Sequence, residues 1–397
     1  MHSFQYHSPT KLVFGLDCLK DNLSAEIIKR GYHKILITYG GGSIKRNGVY
    51  DQVMAELKKT QAEVFEFSGI EPNPRVTSVQ KAADLCKDKG IDLVLAVGGG
   101  STMDASKHIC AATFYDGAAW DLVLDNSKIT KALPLFTVNT IAATGSEYDA
   151  GGVITNWETK EKLAISADCL WPEVSFLDPS FTYSVPAYQT IAGSCDMISH
   201  YFEWYFVRDL NPITQGLIEA CLRTAIKNTP IALQEPNNYE ARAELLWTST
   251  LGCNGFTGLG NSPTIYPCHA IEHEVSAYYD ITHGIGLAII APHLLRFFYE
   301  KDPSTAYRLV DLATNVMGLK KEDYASEAAL IEAGLSALTK FYQDIGVPQG
   351  LASLGVSNEH FKAMAEHIKL HWTEAALNIC FVPLTTEDIV AILEHSL

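Results

Sequence analysis

Neither G-x-G-x-x-G nor G-x-x-x-x-G-K-S/T occurs in the 397 residues, so an ordinary Rossmann fingerprint and a Walker phosphate loop are both excluded. No Cys-x-x-Cys pair occurs either. The nine Cys, at positions 18, 86, 110, 169, 195, 221, 253, 268 and 380, form an odd set that suits reduced thiols better than a disulfide framework or a zinc ribbon. Positive charge is scarce: 30 Lys and Arg stand against 46 Asp and Glu, a formal net charge of -16. With no basic cluster to reverse that locally, nucleic acid is excluded as a partner. Long apolar runs are missing too. The most apolar stretch, Ile285 to Phe298, carries Pro292, His293 and Arg296 and is too short to span a bilayer. Met1 to Thr10 is polar and lacks the apolar centre of a signal peptide, so no membrane partner and a cytoplasmic location are expected.

What remains is an ordinary globular composition, 47% hydrophobic and 19% charged, on a chain long enough for two cores. Up to about Leu177, short β-rich runs alternate with helical stretches. Lys34 to Tyr39, Glu63 to Phe67, Asp92 to Val97 and Leu135 to Val138 read as strands, with helical periodicity at Tyr50 to Lys59 and Val76 to Lys89. That rhythm is the mark of an α/β sheet. After Asp178 to Pro186 it stops, and Pro212 to Ala232, Tyr239 to Thr250, Glu327 to Asp344 and Asn358 to His371 read as helices. The expected division is an α/β domain over residues 1–182 and an all-α domain over 183–397.

Two glycine runs stand at strand ends. Gly98-Gly99-Gly100-Ser101 follows one strand and opens a helix, where bare backbone N–H groups and the helix terminus suit a pyrophosphate. The same letters also suit a plain turn in which Ser101 and Asp104 form a capping pair. Tyr39-Gly40-Gly41-Gly42-Ser43 ends another strand, at the place where a dinucleotide domain often keeps an acid for the ribose hydroxyls. No acid is present, and Ser43, Lys45 and Arg46 follow. The segment therefore points to NADP(H) ahead of NAD(H), or else to a flexible turn with two solvated cations. Thr140 to Glu147 places hydroxyls and a glycine after a third strand.

The second half carries Asp196 and His200 four apart, His269 and His273 four apart, and His283 beyond them. Each four-residue spacing puts two side chains on one helical face about a turn apart. Ile191 to Val207 and Pro267 to Tyr279 read as the helices, and His283 as a loop end beside Gly284. One carboxylate and three imidazoles make a site for one divalent metal, Fe²⁺ or Zn²⁺, that would favour an oxygen becoming negative.

As a set, Gly98 to Ser101 with Asp104, Thr140 to Glu147, Asp196-x3-His200 with Glu203, and His269-x3-His273 followed by His283-Gly284 resemble the iron-containing (group III metal-dependent) alcohol dehydrogenase family. Tyr39 to Ser43 and His273 to Tyr279 are similar to its bacterial NADPH-dependent butanol dehydrogenase and broad aldehyde reductase branch. The resemblance implies a dehydroquinate-synthase-like fold, an α/β N-terminal nucleotide-binding domain plus an all-α C-terminal domain with the active site in the cleft between them, and a homodimer. It implies metal ligation by Asp196, His200, His269 and His283, and diphosphate binding by Gly98, Gly99 and Ser101, with Asp104 in the same motif. It further implies nicotinamide-side contacts from Thr140 and Thr144, a phosphate contact from Lys162, and an orienting or proton-relay role for His273. The absence of an acid at Gly40, Gly41 and Ser43 again favours NADP(H). Met197 departs from the small residue common after the ligand aspartate.

The implied reaction is metal-dependent interconversion of aldehydes and primary alcohols, butanal being the choice from the branch, with Tyr148, Asp149, Cys253 and Phe256 lining the pocket by analogy. A glycerol-type dehydrogenase or a dehydroquinate-synthase-like lyase are the alternatives on the same fold. His269-Ala270-Ile271-Glu272-His273 also matches the H-x-x-E-H pattern of inverted zinc peptidases, with Glu272 as the water-activating base.

Overall fold

The computed structural model describes residues 1–397. Eight strands form in chain order: β1 (Lys11–Phe14), β2 (Lys34–Thr38), β3 (Glu63–Phe67), β4 (Leu93–Gly98), β5 (Leu135–Asn139), β6 (Gly151–Asn156), β7 (Glu161–Ser166) and β8 (Val174–Leu177). Between them lie α1 (Asn22–Arg30), α2 (Ser43–Arg46), α3 (Val49–Leu57), α4 (Val76–Lys89), α5 (Gly100–Ala112) and α6 (Ala119–Leu124). Six strands make one parallel sheet in the order β1-β8-β5-β4-β2-β3, while β6 and β7 pair antiparallel.

Both faces of the sheet are covered, which is why β4 and β5 are buried end to end instead of alternating. Leu36, Val94, Ala96 and Leu135 face the buried side chains of α4, α5 and α6. Ile35, Ile37, Leu95, Val97 and Phe136 face those of α1 and α3.

The strand order positions the glycine runs. The chain steps from β2 out to β3, then crosses to the other side of β2 to lay down β4 and β5. The carboxyl ends of β2 and β4 therefore flank the point where the winding reverses, the usual ligand crevice of such a sheet. Gly40–Ser43 leaves β2 and Gly98–Ser101 leaves β4 at that edge, since Thr38 pairs with Ala96. Thr140 follows β5 at the same edge, its N–H donating to Gly98 O at 3.1 Å.

The remaining helices are α7 (Ala187–Tyr205), α8 (Pro212–Gln234), α9 (Tyr239–Gly252), α10 (Cys268–Tyr279), α11 (His283–Lys301), α12 (Ala306–Asp311), α13 (Glu327–Ile345), α14 (Phe361–Asn378) and α15 (Thr386–His395). Backbone contacts group His7–Pro186 with Glu235–Asn254 as a sheet unit, and Met1–Tyr6, Ala187–Gln234 and Gly255–Leu397 as a helical unit. Against a single division at 182/183, the sheet unit runs on to Pro186 and takes back α9. The reason is local: Gly145 has a positive φ and stands where a Cβ would lie 2.4 Å from Ser249 O, and Thr250 Oγ1 donates to Glu147 Oε1 at 2.6 Å. No helix is long and apolar enough to cross a membrane.

Candidate metal centre and nucleotide loops

Within the helical unit, α7 brings Asp196 and His200 onto one face, and α10 brings His269. His283 is the first residue of α11, not a loop end. Its neighbour explains how it gets there: a Cβ on Gly284 would lie 1.9 Å from Ala192 O, so α11 starts in direct backbone contact with α7, one turn before Asp196. Only glycine permits that approach.

The four side chains converge on one atom. Asp196 Oδ1 lies 3.3 Å from His200 Nε2, 3.7 Å from His269 Nε2 and 3.7 Å from His283 Nε2. Tetrahedral ligand atoms with bonds of about 2.1 Å stand about 3.4 Å apart, close to the three distances from Asp196 Oδ1; Asp196, His200 and His269 offer ligand atoms all within 4.8 Å of one another, and Glu272, His273 and His283 form a second such group. Asp196 Oδ1 is also shut off from solvent and accepts no aligned hydrogen bond, the condition of an atom whose partner is an ion. Burial works to raise the Asp196 carboxyl pKa, but the imidazoles of His200, His269 and His283 outweigh it and hold the group well below the usual carboxylate range.

Two of the far ring nitrogens lie against carboxylates. Glu203 Oε1 lies 2.8 Å from His269 Nδ1, and the fully buried Glu272 contacts His283 Nδ1. That contact engages Glu272 Oε2 with His283, where the peptidase reading would have the carboxylate hold a water. His200 stacks on His269 with ring centres 4.5 Å apart. The His273 ring centre lies 5.2 Å from that of His283 and 6.0 Å from that of His269, so His273 borders the cluster, its ligand atom within 4.8 Å of those of Glu272 and His283.

In the sheet unit, the glycines of the β4 loop are fixed by close approach. A Cβ on Gly99 would lie 2.4 Å from Ile141 Cγ2, and one on Gly100 2.4 Å from Thr144 Cγ2, so the Thr140–Thr144 loop sits directly against the run. Helix α5 starts at Gly100 with Gly99 as its cap and no side-chain cap bond. The capping pair is therefore not formed. Instead Asp104 Oδ1 accepts from Ser146 Oγ at 2.6 Å and Oδ2 from the Val153 N–H at 2.9 Å. Burial pushes this carboxyl up to about 6 against the pull of nearby Lys107 and Ser146. Asp104 thus braces the loop, with both oxygens committed inside the protein.

Lys107, which the sequence reading passed over, completes the brace. It is fully buried, and its ammonium donates to Ser146 Oγ at 2.9 Å, to Gly151 O at 2.6 Å and to Asp149. Asp149 is consequently a structural counter-ion, while Tyr148 packs edge-on against Trp171. A lone Lys on a helix otherwise rich in small and apolar residues was the available signal. Lys162 lies buried on β7, opposite Thr155.

In the β2 loop, Gly41 borders open space, and Gly42 has φ +86°, which favours glycine, with Arg46 Nη1 3.9 Å from its Cβ position. Lys45 differs from a solvated cation: its ammonium lies 3.3 Å from Glu66 and within 5 Å of the Tyr39 and Tyr50 ring centres, at 4.9 and 4.4 Å. Arg46 and the half-exposed Lys45 are both cations of this loop, Lys45 being already paired with Glu66.

Comparison with known proteins agrees with this architecture. A model of the iron-containing alcohol dehydrogenases matches residues 9–179, and one of the Fe-containing alcohol dehydrogenase C-terminal region matches residues 190–397. NADH-dependent butanol dehydrogenase A of Clostridium acetobutylicum is 43% identical over 399 residues, covering all of both chains. The NADPH-dependent aldehyde reductase YqhD of Escherichia coli is 34% identical, covering 94% of each. The crystal structure of NADH-dependent butanol dehydrogenase A from Thermotoga maritima superposes with a TM-score of 0.93 at 38% identity, covering 100% of this chain and 99% of that one.

Proposed function

The chain belongs to the iron-containing alcohol dehydrogenase family, and from that membership we propose that it interconverts aldehydes and primary alcohols of the butanal/butanol type by reversible hydride transfer with a nicotinamide nucleotide, NADP(H) ahead of NAD(H). The observation that carries the reading is the convergence of three imidazole Nε2 atoms on Asp196 Oδ1. Asp196, His200, His269 and His283 would hold Fe²⁺ or Zn²⁺. Bound there, the ion would supply Lewis acidity toward an oxygen gaining negative charge.

The chain's own groups do the rest. Backbone N–H groups at the open start of α5 receive the diphosphate, beside Gly98, Gly99 and Ser101. Thr140 and Thr144 border its nicotinamide side, and Lys162 contacts a phosphate. His273, on the rim of the metal cluster, exchanges a proton with the substrate oxygen. Holding both reactants in one site makes the encounter effectively intramolecular.

The test is the initial rate of NADPH oxidation with butanal, on protein stripped of metal and then restored anaerobically with Fe²⁺ or Zn²⁺. Turnover is expected to vanish on stripping and return on restoration. Turnover indifferent to metal would end this reading.

The relatives divide on the nucleotide, butanol dehydrogenase A being named NADH-dependent and YqhD NADPH-dependent. The preference proposed for this chain rests on the acid-free Gly40–Ser43 loop and on Arg46 beside Gly42. A hydrogen bond to a charged partner is worth about 1.5–3 kcal/mol. Arg46→Ala is therefore expected to lower kcat/KM for NADPH about tenfold or more and leave that for NADH unchanged. Equal losses with both nucleotides would assign Arg46 to a part they share and remove the argument.

A further inference from the structure

We propose that Glu272 is a positioning residue that holds His283 as its Nδ1–H tautomer, so that the Nε2 lone pair is presented toward Asp196, and that Glu203 lends His269 a weaker, electrostatic form of the same support. The inference rests on the metal-centre reading above.

The sequence singles Glu272 out through the H-x-x-E-H pattern, yet no role in the proposed reaction falls to it. Its side chain is fully buried, on a helix whose neighbours His269 and His273 face the metal cluster. A buried carboxylate is costly unless it is paired and hydrogen-bonded. The fold builds a seat for this one. Ser276 Oγ, one turn along α10, donates to Glu272 Oε1, while Oε2 meets His283 Nδ1. Gly286 leaves the space, since a Cβ there would lie 2.9 Å from both Cγ and Oε1 of Glu272.

The chemistry of that contact is one-sided. An ionised carboxylate only accepts, so the proton between the two groups belongs on Nδ1. In a neutral imidazole the other nitrogen is then bare, and that nitrogen is the Nε2 that lies 3.7 Å from Asp196 Oδ1. Glu203 makes a looser approach to His269: Asp196, His200 and Glu203 follow i, i+4, i+7 along one face of α7, and Glu203 Oε1 comes within 2.8 Å of His269 Nδ1 without an aligned hydrogen bond. Helix α10 thus orients the imidazole of α11, and α7 sets a carboxylate beside that of α10. Outer partners of this kind fix ring orientation and raise ligand basicity.

The experiment is a titration of metal-free protein with Zn²⁺ in competition with a chromophoric chelator, on the parent, Glu272→Gln and Glu203→Gln. Loss of an outer carboxylate typically costs about 10–100-fold in metal affinity. That fall is expected for Glu272→Gln, with the far-ultraviolet circular dichroism of the metal-free protein unchanged. A smaller fall is expected for Glu203→Gln, because that side chain is 29% exposed and water can replace it. Affinity of Glu272→Gln equal to the parent's would overturn the proposal.

A second readout needs no variant at Glu272. Imidazole ¹⁵N shifts of the Zn²⁺-loaded parent, with His283 assigned by its absence from His283→Ala, are expected to show a proton on Nδ1 and the metal on Nε2. A metal-bound or bare Nδ1 would overturn the proposal even if Glu272→Gln failed to fold. A parent that takes up no Zn²⁺ would instead bring down the metal centre itself, and this inference with it.

Discussion

Asp196→Asn is expected to bind a divalent ion far more weakly and to lose at least about 10²–10³-fold in aldehyde turnover, the scale on which one preorganised electrostatic group is worth its place in a site. Asp196 Oδ1 is the atom that His200, His269 and His283 all approach, at 3.3, 3.7 and 3.7 Å. It is also the only inner carboxylate. Asparagine keeps the shape but removes the charge, leaving three neutral imidazoles to bind a doubly charged ion. The effect should therefore exceed that of Glu272→Gln, where the inner set is intact and only its orientation weakens. Because the imidazoles hold the Asp196 carboxyl well below the usual range, its charge stabilises the metal-free fold at neutral pH, so the metal-free variant should melt below the metal-free parent. Calorimetric titration with Zn²⁺ alongside butanal-dependent NADPH oxidation checks both halves. Retention of metal and rate together would show that the cluster is not the working centre.

Much of this arrangement was legible in the letters, and where legibility failed the cause is tertiary. Short β-rich runs, several ending in glycines or turns, announced β2 to β5, and β3 falls where the sequence places it, at Glu63–Phe67. The strands β1 and β8 escaped because four residues carry too little pattern, and β6 because it opens on two glycines. The inner ligands could be found from spacing alone, since four residues apart on a helix means one face. Their surroundings could not. Whether Glu272 faces a water or the back of His283 depends on where α11 begins, and that is decided by Gly284 meeting Ala192. Glycines at 284 and 286 with Pro292 look like helix breakers in sequence, yet α11 runs through all three, and the two glycines stand where Ala192 and Glu272 occupy the space that side chains would need. The return of α9 to the sheet unit has the same origin in a distant contact, Gly145 with Ser249.

The strongest structural test of that packing is Gly284→Ala. The added Cβ would lie 1.9 Å from Ala192 O and 2.8 Å from its carbonyl carbon, and neither can turn aside as a flexible side chain could. One helix must move away from the other. Overpacking of this kind costs about 1–3 kcal/mol and occasionally more, and a clash with backbone puts this case at the upper end. For a unit of roughly 200 residues, a loss of about 3 kcal/mol lowers the melting temperature by roughly 6–12 °C. The displacement also carries His283, the adjacent residue, away from Asp196, so Zn²⁺ uptake should weaken together with the fold. Gly216→Ala is the matched control: it lies inside α8 with nothing within 4 Å of its Cβ position. There the same chemical change only restricts the unfolded chain and improves helix propensity, so it should raise stability by about 0.4–1 kcal/mol. Thermal unfolding of the two variants, with and without Zn²⁺, should thus move in opposite directions. A Gly284→Ala protein that melts with the parent and binds Zn²⁺ equally well would mean that the approach of α11 to α7 does not set the metal centre.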